Sequence, residues 1–247
     1  MVLLIDIGNT TVVVHEADIE EDILGNHYKS ATDTNENYSK FFKDMRSGNK
    51  VDGCLICSVV PEVTDKVSVA VKEVYGIEAK TLNREDIPMN INVDEPHKVG
   101  MDRLADAYYA FHENRLPAVT VDMGTATTIN VVTEDGFMGG SISAGLETSL
   151  KAIGKRGAQL FSVEPSIPNS VIGKNTAQCL NIGAVCGTAA LIDGLTGYIE
   201  KELNESVTLY VTGGNVKYLE AYINHEHITE DEMLAKGMLL LCKRVFG

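Results

Sequence analysis

The residues best equipped for chemistry lie in short polar turns that follow apolar runs. Asp6-Ile7-Gly8-Asn9-Thr10-Thr11 follows Val2–Ile5, and β-branched residues resume at Val12 and Val13. Asp122-Met123-Gly124-Thr125-Ala126-Thr127-Thr128 follows Ala118–Val121, and Ile129–Val132 resumes. A glycine in such a turn lets backbone N–H groups approach phosphate oxygens with no Cβ in the way. Thr and Asn side chains add donors. Each Asp can hold a hydrated cation, and Mg²⁺ typically takes one or two carboxylates together with phosphate oxygens. Thr212-Gly213-Gly214, after Val207–Val211, is a third permissive turn that lets a flat adenosine slide past the backbone. The set suits a nucleotide polyphosphate. The chain has neither G-x-x-x-x-G-K-[ST] nor G-x-G-x-x-G, so the P-loop and dinucleotide fingerprints find no support.

Gly100-Met101-Asp102-Arg103 offers a carboxylate beside a guanidinium, just ahead of a helical pattern. One reading is a helix entry with Asp102 as its cap. The other is an acceptor site. There Asp102 takes a hydroxyl proton as the oxygen attacks phosphorus, and Arg103 orients an anionic acceptor through a bidentate pair. The charge of Arg103 is then expected to keep Asp102 ionised.

The elements that must hold these turns alternate between strand and helix, an α/β pattern. Helices are expected over Asn37–Met45, Glu62–Val74, Asp102–Glu113, Leu146–Leu160 and from Asn175 or Thr176 to about Leu203. Strands are expected over Gly53–Val60 and Val207–Val211, with Asp135-Gly136 as a hairpin turn. Asp86–Pro96 carries two prolines and reads as loop, and Gly139-Gly140 with Gly145 reads as a glycine-punctuated loop. Thr229 and Glu232 have capping-box spacing ahead of a last helix. The second Asp-x-Gly turn follows the first by 116 residues, each between apolar strands. A repeat of that period is a duplicated domain rather than a solenoid. The expected bounds are 1–117 and 118–247, with the Asp6 and Asp122 turns facing one nucleotide cleft.

The 247 residues carry 35 acidic and 21 basic side chains, a net charge of −14. A field of that sign repels nucleic-acid backbones and anionic lipid surfaces, so neither nucleic acid nor membrane is an expected partner. No apolar run approaches a membrane span, no signal peptide is recognised, and a cytoplasmic location is expected. The five cysteines, Cys54, Cys57, Cys179, Cys186 and Cys242, read as reduced thiols, the first two buried in a strand. The six histidines show no clear ligand spacing, and His225 and His227 read as solvated surface.

With these pieces in order, the chain resembles the type III pantothenate kinases of the actin-like ATPase superfamily over essentially its whole length. The matching segments are Asp6–Thr10, Cys57-Ser58-Val59-Val60-Pro61, Gly100–Arg103, Asp122–Thr128, Gly139-Gly140, Ile172-Gly173-Lys174-Asn175-Thr176 and Thr212-Gly213-Gly214. The resemblance implies two actin-like (ribonuclease H-like) domains and phosphorylation of pantothenate by ATP, the first step to coenzyme A. It implies a homodimer that needs Mg²⁺ and a monovalent cation such as K⁺ or NH₄⁺. By position, Asp6, Ile7, Gly8, Asn9, Thr10, Thr11, Val12 and Val13 resemble the first ATP-binding segment, with Asp6 toward Mg²⁺. Gly100, Met101, Asp102 and Arg103 resemble the pantothenate contact, with Asp102 the proton acceptor. Asp122 resembles the monovalent-cation ligand and Thr125 a nucleotide contact. Thr176 resembles a substrate contact across the dimer, and Gly213 and Gly214 fall in the adenosine motif.

Two positions depart from the family pattern. Val93 stands where the family usually has a Tyr seven residues ahead of the G-x-D-R glycine. Ala144 stands where the family's G-G-x-I-x-P-G has its Pro. Both departures bear on the acceptor rather than on ATP. A kinase of this fold for another small hydroxylated acid, or a non-catalytic nucleotide-binding regulator, therefore stays open at this point.

Overall fold

A computed structural model describes residues 1–45, 48–156 and 163–246. In chain order, three strands open the fold: β1 Val2–Ile7, β2 Thr11–Asp18 and β3 Ile23–Ala31. Helix α1 Tyr38–Met45, strand β4 Gly53–Ser58, helix α2 Pro61–Tyr75 and strand β5 Lys80–Thr81 follow. Helix α3 Met101–Glu113 leads to strands β6 Ala118–Met123, β7 Ala126–Thr133 and β8 Gly136–Ala144. Helices α4 Leu146–Arg156 and α5 Thr176–Leu203 precede strand β9 Thr208–Thr212 and helix α6 Val216–Leu219. Strand β10 His227–Thr229 and helix α7 Met233–Phe246 complete the chain.

The duplication is visible in the sheets. One has the order β3-β2-β1-β4-β5 and the other β10-β9-β6-β7-β8, the same arrangement written from opposite edges. In each, the first three strands form an antiparallel meander, and the later two add in parallel. The first strand of each sheet is buried at every position except the half-buried fifth, which is Asp6 in β1 and Asp122 in β6. Such near-continuous apolar runs belong to strands covered on both faces.

The chain divides into two compact units. One holds Met1–Met89, Asp94–Tyr109 and Met233–Gly247, and the other holds Asn90–Val93 and Ala110–Glu232. In the first unit, Leu3, Ile5 and Ile7 of β1 meet Phe42 of α1 and Val63, Val67 and Val71 of α2 in one core. Helix α7 packs on β1, β3 and β4. It also lies directly on α3, because a Cβ at Gly237 would collide with the Ala105 carbonyl. In the second unit, Val119, Val121 and Ile129 meet Leu146, Val185, Ile192 and Leu219. Each fully buried aliphatic side chain contributes roughly 1.5–3 kcal/mol.

Several sequence expectations need correction. Gly139 and Gly140 lie inside β8 rather than in a loop, at φ values of 103° and 149°. A Cβ on Gly140 would collide with the Ile129 carbonyl, so the glycines let a distorted strand pair tightly with β7. Ala144 ends that strand, paired with Ala126. Thr229 does not cap α7: it ends β10, and its hydroxyl donates to Glu220. The Asp86–Pro96 loop contains a bridge in which Ile91 pairs with Phe137. Residues 157–160 of the expected Leu146–Leu160 helix lie outside the described residues. Helix α5 is long and apolar enough to cross a membrane by length and composition, although no such run was expected. Its Ala184, Val185, Ala189 and Ile192 pack into the second core.

Candidate active site

The first Asp-x-Gly turn begins where β1 ends. The Gly8 N–H donates to the Thr11 carbonyl at 3.1 Å, closing a turn of four residues. Thr32 anchors it, its hydroxyl donating to the Gly8 carbonyl at 2.8 Å. Asp6 lies opposite Cys57 in the parallel register of β1 and β4. Burial pushes the Cys57 thiol well up, and the charges of Asp6, Asp102 and Asp106 add to that shift. The charges of all three carboxylates, Asp6 and Asp102 among them, thus act on the one buried thiol. Burial also pushes the Cys54 thiol up, so the C-x-x-C pair is two core thiols, as expected.

Helix α3 begins at Met101, so Asp102 stands in its first turn rather than at its cap. Its carboxylate turns back to accept the Arg103 N–H at 2.8 Å. Gly100 makes room, since a Cβ there would collide with Asp102 Oδ1. The positive end of the helix dipole favours an anion at this place. Arg103 is half-buried: burial lowers its pKa, and the Asp102 charge opposes that. Asp106, one turn further on, is 2% exposed and was not singled out from the sequence.

The second unit repeats the turn with one residue fewer. The Gly124 N–H donates to the Ala126 carbonyl at 3.0 Å. The Thr125 carbonyl accepts from the Gly145 N–H at 3.1 Å and from the Thr148 hydroxyl at 2.6 Å. Asn215, a buried residue missed at the sequence level, donates its side-chain amide to the Gly124 carbonyl at 3.2 Å and its N–H to Met123. Only its place directly after T-G-G could have drawn attention to it. Gly213 takes φ 101°, and a Cβ there would strike Asp122 Oδ1 and lie 2.6 Å from the Met123 nitrogen. The half-buried Asp122 carboxylate can thus lie against this turn because residue 213 has no side chain, and a carboxylate oxygen is a donor of the kind a monovalent cation takes. Gly214 has open space around it.

The segment before Gly100–Arg103 is tied to β8. Asn92 N–H donates to the Phe137 carbonyl at 2.8 Å, and Phe137 N–H donates to Asn90 at 2.9 Å. The Asn92 side chain donates to the Asp135 carbonyl at 2.8 Å. This seats Val93 against Gly139. Thr176 is the first residue of α5, exposed, and Asn175 caps the helix by accepting the Gln178 N–H at 2.9 Å.

The type III pantothenate kinase family model matches residues 2–197. The chain belongs to the type III pantothenate kinase family. A family member from Streptomyces griseus is 34% identical over 232 residues, covering 87% of each chain. Another, from Sulfurihydrogenibium, is 30% identical over 98% of this chain and all of that one. Among solved structures, a Campylobacter jejuni protein described as a Baf family transcriptional activator superposes with TM-score 0.65 at 20% identity, covering 99% of this chain and 98% of that one. An inorganic polyphosphate/ATP-glucomannokinase from Arthrobacter gives TM-score 0.51 at 11% identity, covering 99% and 100%. These two likenesses speak to the fold, that of the actin-like ATPases and sugar kinases, as expected for a type III pantothenate kinase.

His225 and His227 are more enclosed than the sequence implied. His225 Nδ1 lies 3.1 Å from Asp193 and its Nε2 3.6 Å from Glu200. The His227 ring nitrogen lies 2.8 Å from the His225 carbonyl. They fasten the loop after α6 to α5.

Proposed function

We propose that this protein transfers the γ-phosphoryl group of ATP to the hydroxyl of pantothenate, the first step of coenzyme A synthesis. The observation that carries the reading is the pairing of Asp102 and Arg103 in the first turn of α3, with Asp6 opposite Cys57, the thiol on which the Asp102 charge also acts. The pantothenate oxygen attacks Pγ, the bond from Pγ to the bridging oxygen breaks, and ADP leaves. Asp102 accepts the hydroxyl proton. Arg103 holds the pantothenate carboxylate through its planar fork. The backbone N–H groups of Asn9 and Thr10 donate to phosphate oxygens, and Gly213 and Gly214 lie along adenosine, with Thr125 as a nucleotide contact.

Asp6 would hold Mg²⁺ and Asp122, seated beside Gly213, would hold K⁺ or NH₄⁺. When bound, the ions offset the negative charge of the transferring phosphoryl group. The exposed residues Gly183, Gly187, Ala190 and Gly194 of α5 are uncharged, with Lys201 over the Tyr198 ring only at the helix end, and this stretch supports a homodimer in which Thr176 reaches the partner. No charged residue falls between Lys174 and Asp193, which suits self-association of a chain with net charge −14. A cytoplasmic setting fits this metabolism.

Val93 in the docked segment favours one second reading, another small hydroxylated acid as acceptor. A coupled assay of ATP consumption with purified protein, with and without pantothenate, tests both. Pantothenate-dependent ADP release is expected. Normal ATP binding without it would remove the pantothenate assignment.

A further inference from the structure

The chain that enters the acceptor motif makes few backbone bonds of its own. Over Asp94–Val99 these are Lys98 N–H to Glu95 at 3.0 Å and Val99 N–H to Pro96 at 3.3 Å. Three carbonyls of this stretch, from Pro96, His97 and Val99, instead converge on one side chain. Arg84 Nε donates to Pro96, and Nη2 donates to His97 and, at 3.2 Å, to Val99. Among the described residues no carboxylate lies within ion-pair distance of Arg84.

Arg84 is itself held at its base. It opens a 3₁₀ turn, Arg84–Asp86, in which the Asn83 N–H donates to Asp86 at 2.9 Å. Lys80 pairs with the same carboxylate at 3.2 Å. The side chain is half-buried. A guanidinium suits this place because it presents five N–H donors in one rigid plane, a fork that a lysine ammonium cannot reproduce. Nothing in the phosphate chemistry uses Arg84, and its partners are neutral carbonyls rather than an anion.

We propose that Arg84 is a positioning residue for the acceptor site. By gathering the carbonyls of Pro96, His97 and Val99, it sets the path on which Gly100–Arg103 enter α3, and so aims Asp102 and Arg103. The inference rests on the reading of Gly100–Arg103 as the acceptor contact. It makes Arg84 a determinant of acceptor turnover although it touches neither substrate.

The test compares wild type, Arg84→Lys and Arg84→Ala by steady-state kinetics, thermal unfolding and amide hydrogen exchange. In both variants kcat/KM for pantothenate is expected to fall roughly tenfold or more, the scale of one or two lost charge-assisted hydrogen bonds. The KM for ATP should stay within about twofold, since its turns hang on other strands. Low-millimolar guanidinium should partly restore Arg84→Ala and leave Arg84→Lys and wild type unchanged. Exchange at the Lys98, Val99 and Leu104 amides should quicken in Arg84→Ala. Unchanged pantothenate kinetics, or equal losses for ATP and pantothenate that follow a lowered Tm, would overturn the positioning role. The exchange readout does not depend on the acceptor. A wild type that ignores pantothenate would remove the substrate assignment, whereas unchanged exchange in the variant would remove the clamp.

Discussion

Gly213 and Gly214 are adjacent, chemically identical, and sharply different in what an added methyl would meet. At Gly213, φ is 101°, and a Cβ would strike Asp122 Oδ1 and lie 2.6 Å and 2.7 Å from the Met123 nitrogen and carbonyl carbon. An L-residue in left-handed backbone costs about 1–2 kcal/mol. Forcing a methyl into a packed site costs about 1–3 kcal/mol more. Gly213→Ala should therefore lose about 2–5 kcal/mol, a Tm drop of roughly 5–15 °C for a chain of this size. The backbone involved is that of β6 and cannot swing aside as a flexible side chain could. The displaced group is the Asp122 carboxylate, so activation by K⁺ should weaken together with stability. Gly214→Ala meets nothing within 4 Å, and its stability should change by less than about 0.5 kcal/mol. Thermal unfolding and rate measured against K⁺ concentration read both effects. Equal behaviour of the two variants, or a Gly213→Ala protein with wild-type Tm and wild-type K⁺ response, would refute the dependence of Asp122 on the bare Gly213 turn.

Asp102→Asn keeps the size of the side chain but cannot take a proton; kcat should fall by about 10²–10⁴ with ATP affinity nearly unchanged, and a near-wild-type kcat would reduce Asp102 to an orienting group. Val93→Tyr should lower the KM for pantothenate by up to about tenfold, the worth of one restored hydrogen bond; a raised KM would show that the docked segment has no room for the ring. Asp193 is desolvated, which raises its pKa, but hydrogen bonds from the His225 and Asn224 backbone and side chains outweigh this and lower it below 3.8. Its contribution to stability is complete above 3.8 and is lost as pH falls through the lower folded value, so acid unfolding of Asp193→Asn, followed by circular dichroism, should lack that part of the pH dependence. Cys179 is exposed, whereas Cys54, Cys57 and Cys242 are buried and burial pushes Cys242 up to about 12, so a thiol reagent should label Cys179 rapidly and those three only on unfolding.

The two Asp-x-Gly turns were legible in the sequence because each ends an apolar strand with an Asp, a Gly and hydroxyls, and local chemistry alone marks such a turn. Duplication was legible because the same pattern returns after a domain-sized interval, and the two sheets repeat it strand for strand. The Gly100–Arg103 motif was visible, but its support was not. Arg84 lies in an unremarkable polar stretch, and its three carbonyl partners become neighbours only when the chain folds back. Strand β3 escaped notice because it is mostly exposed and carries no apolar alternation for a period-two pattern to reveal. The packing of α7 on β1, β3 and β4 of the first sheet was equally hidden, since an amphipathic helix shows that it has a partner but not which one. The motif T-G-G likewise promised two equivalent glycines. Backbone torsion and the nearness of Asp122 separate them, because a turn residue's burden is set by what the tertiary fold places beside its Cα.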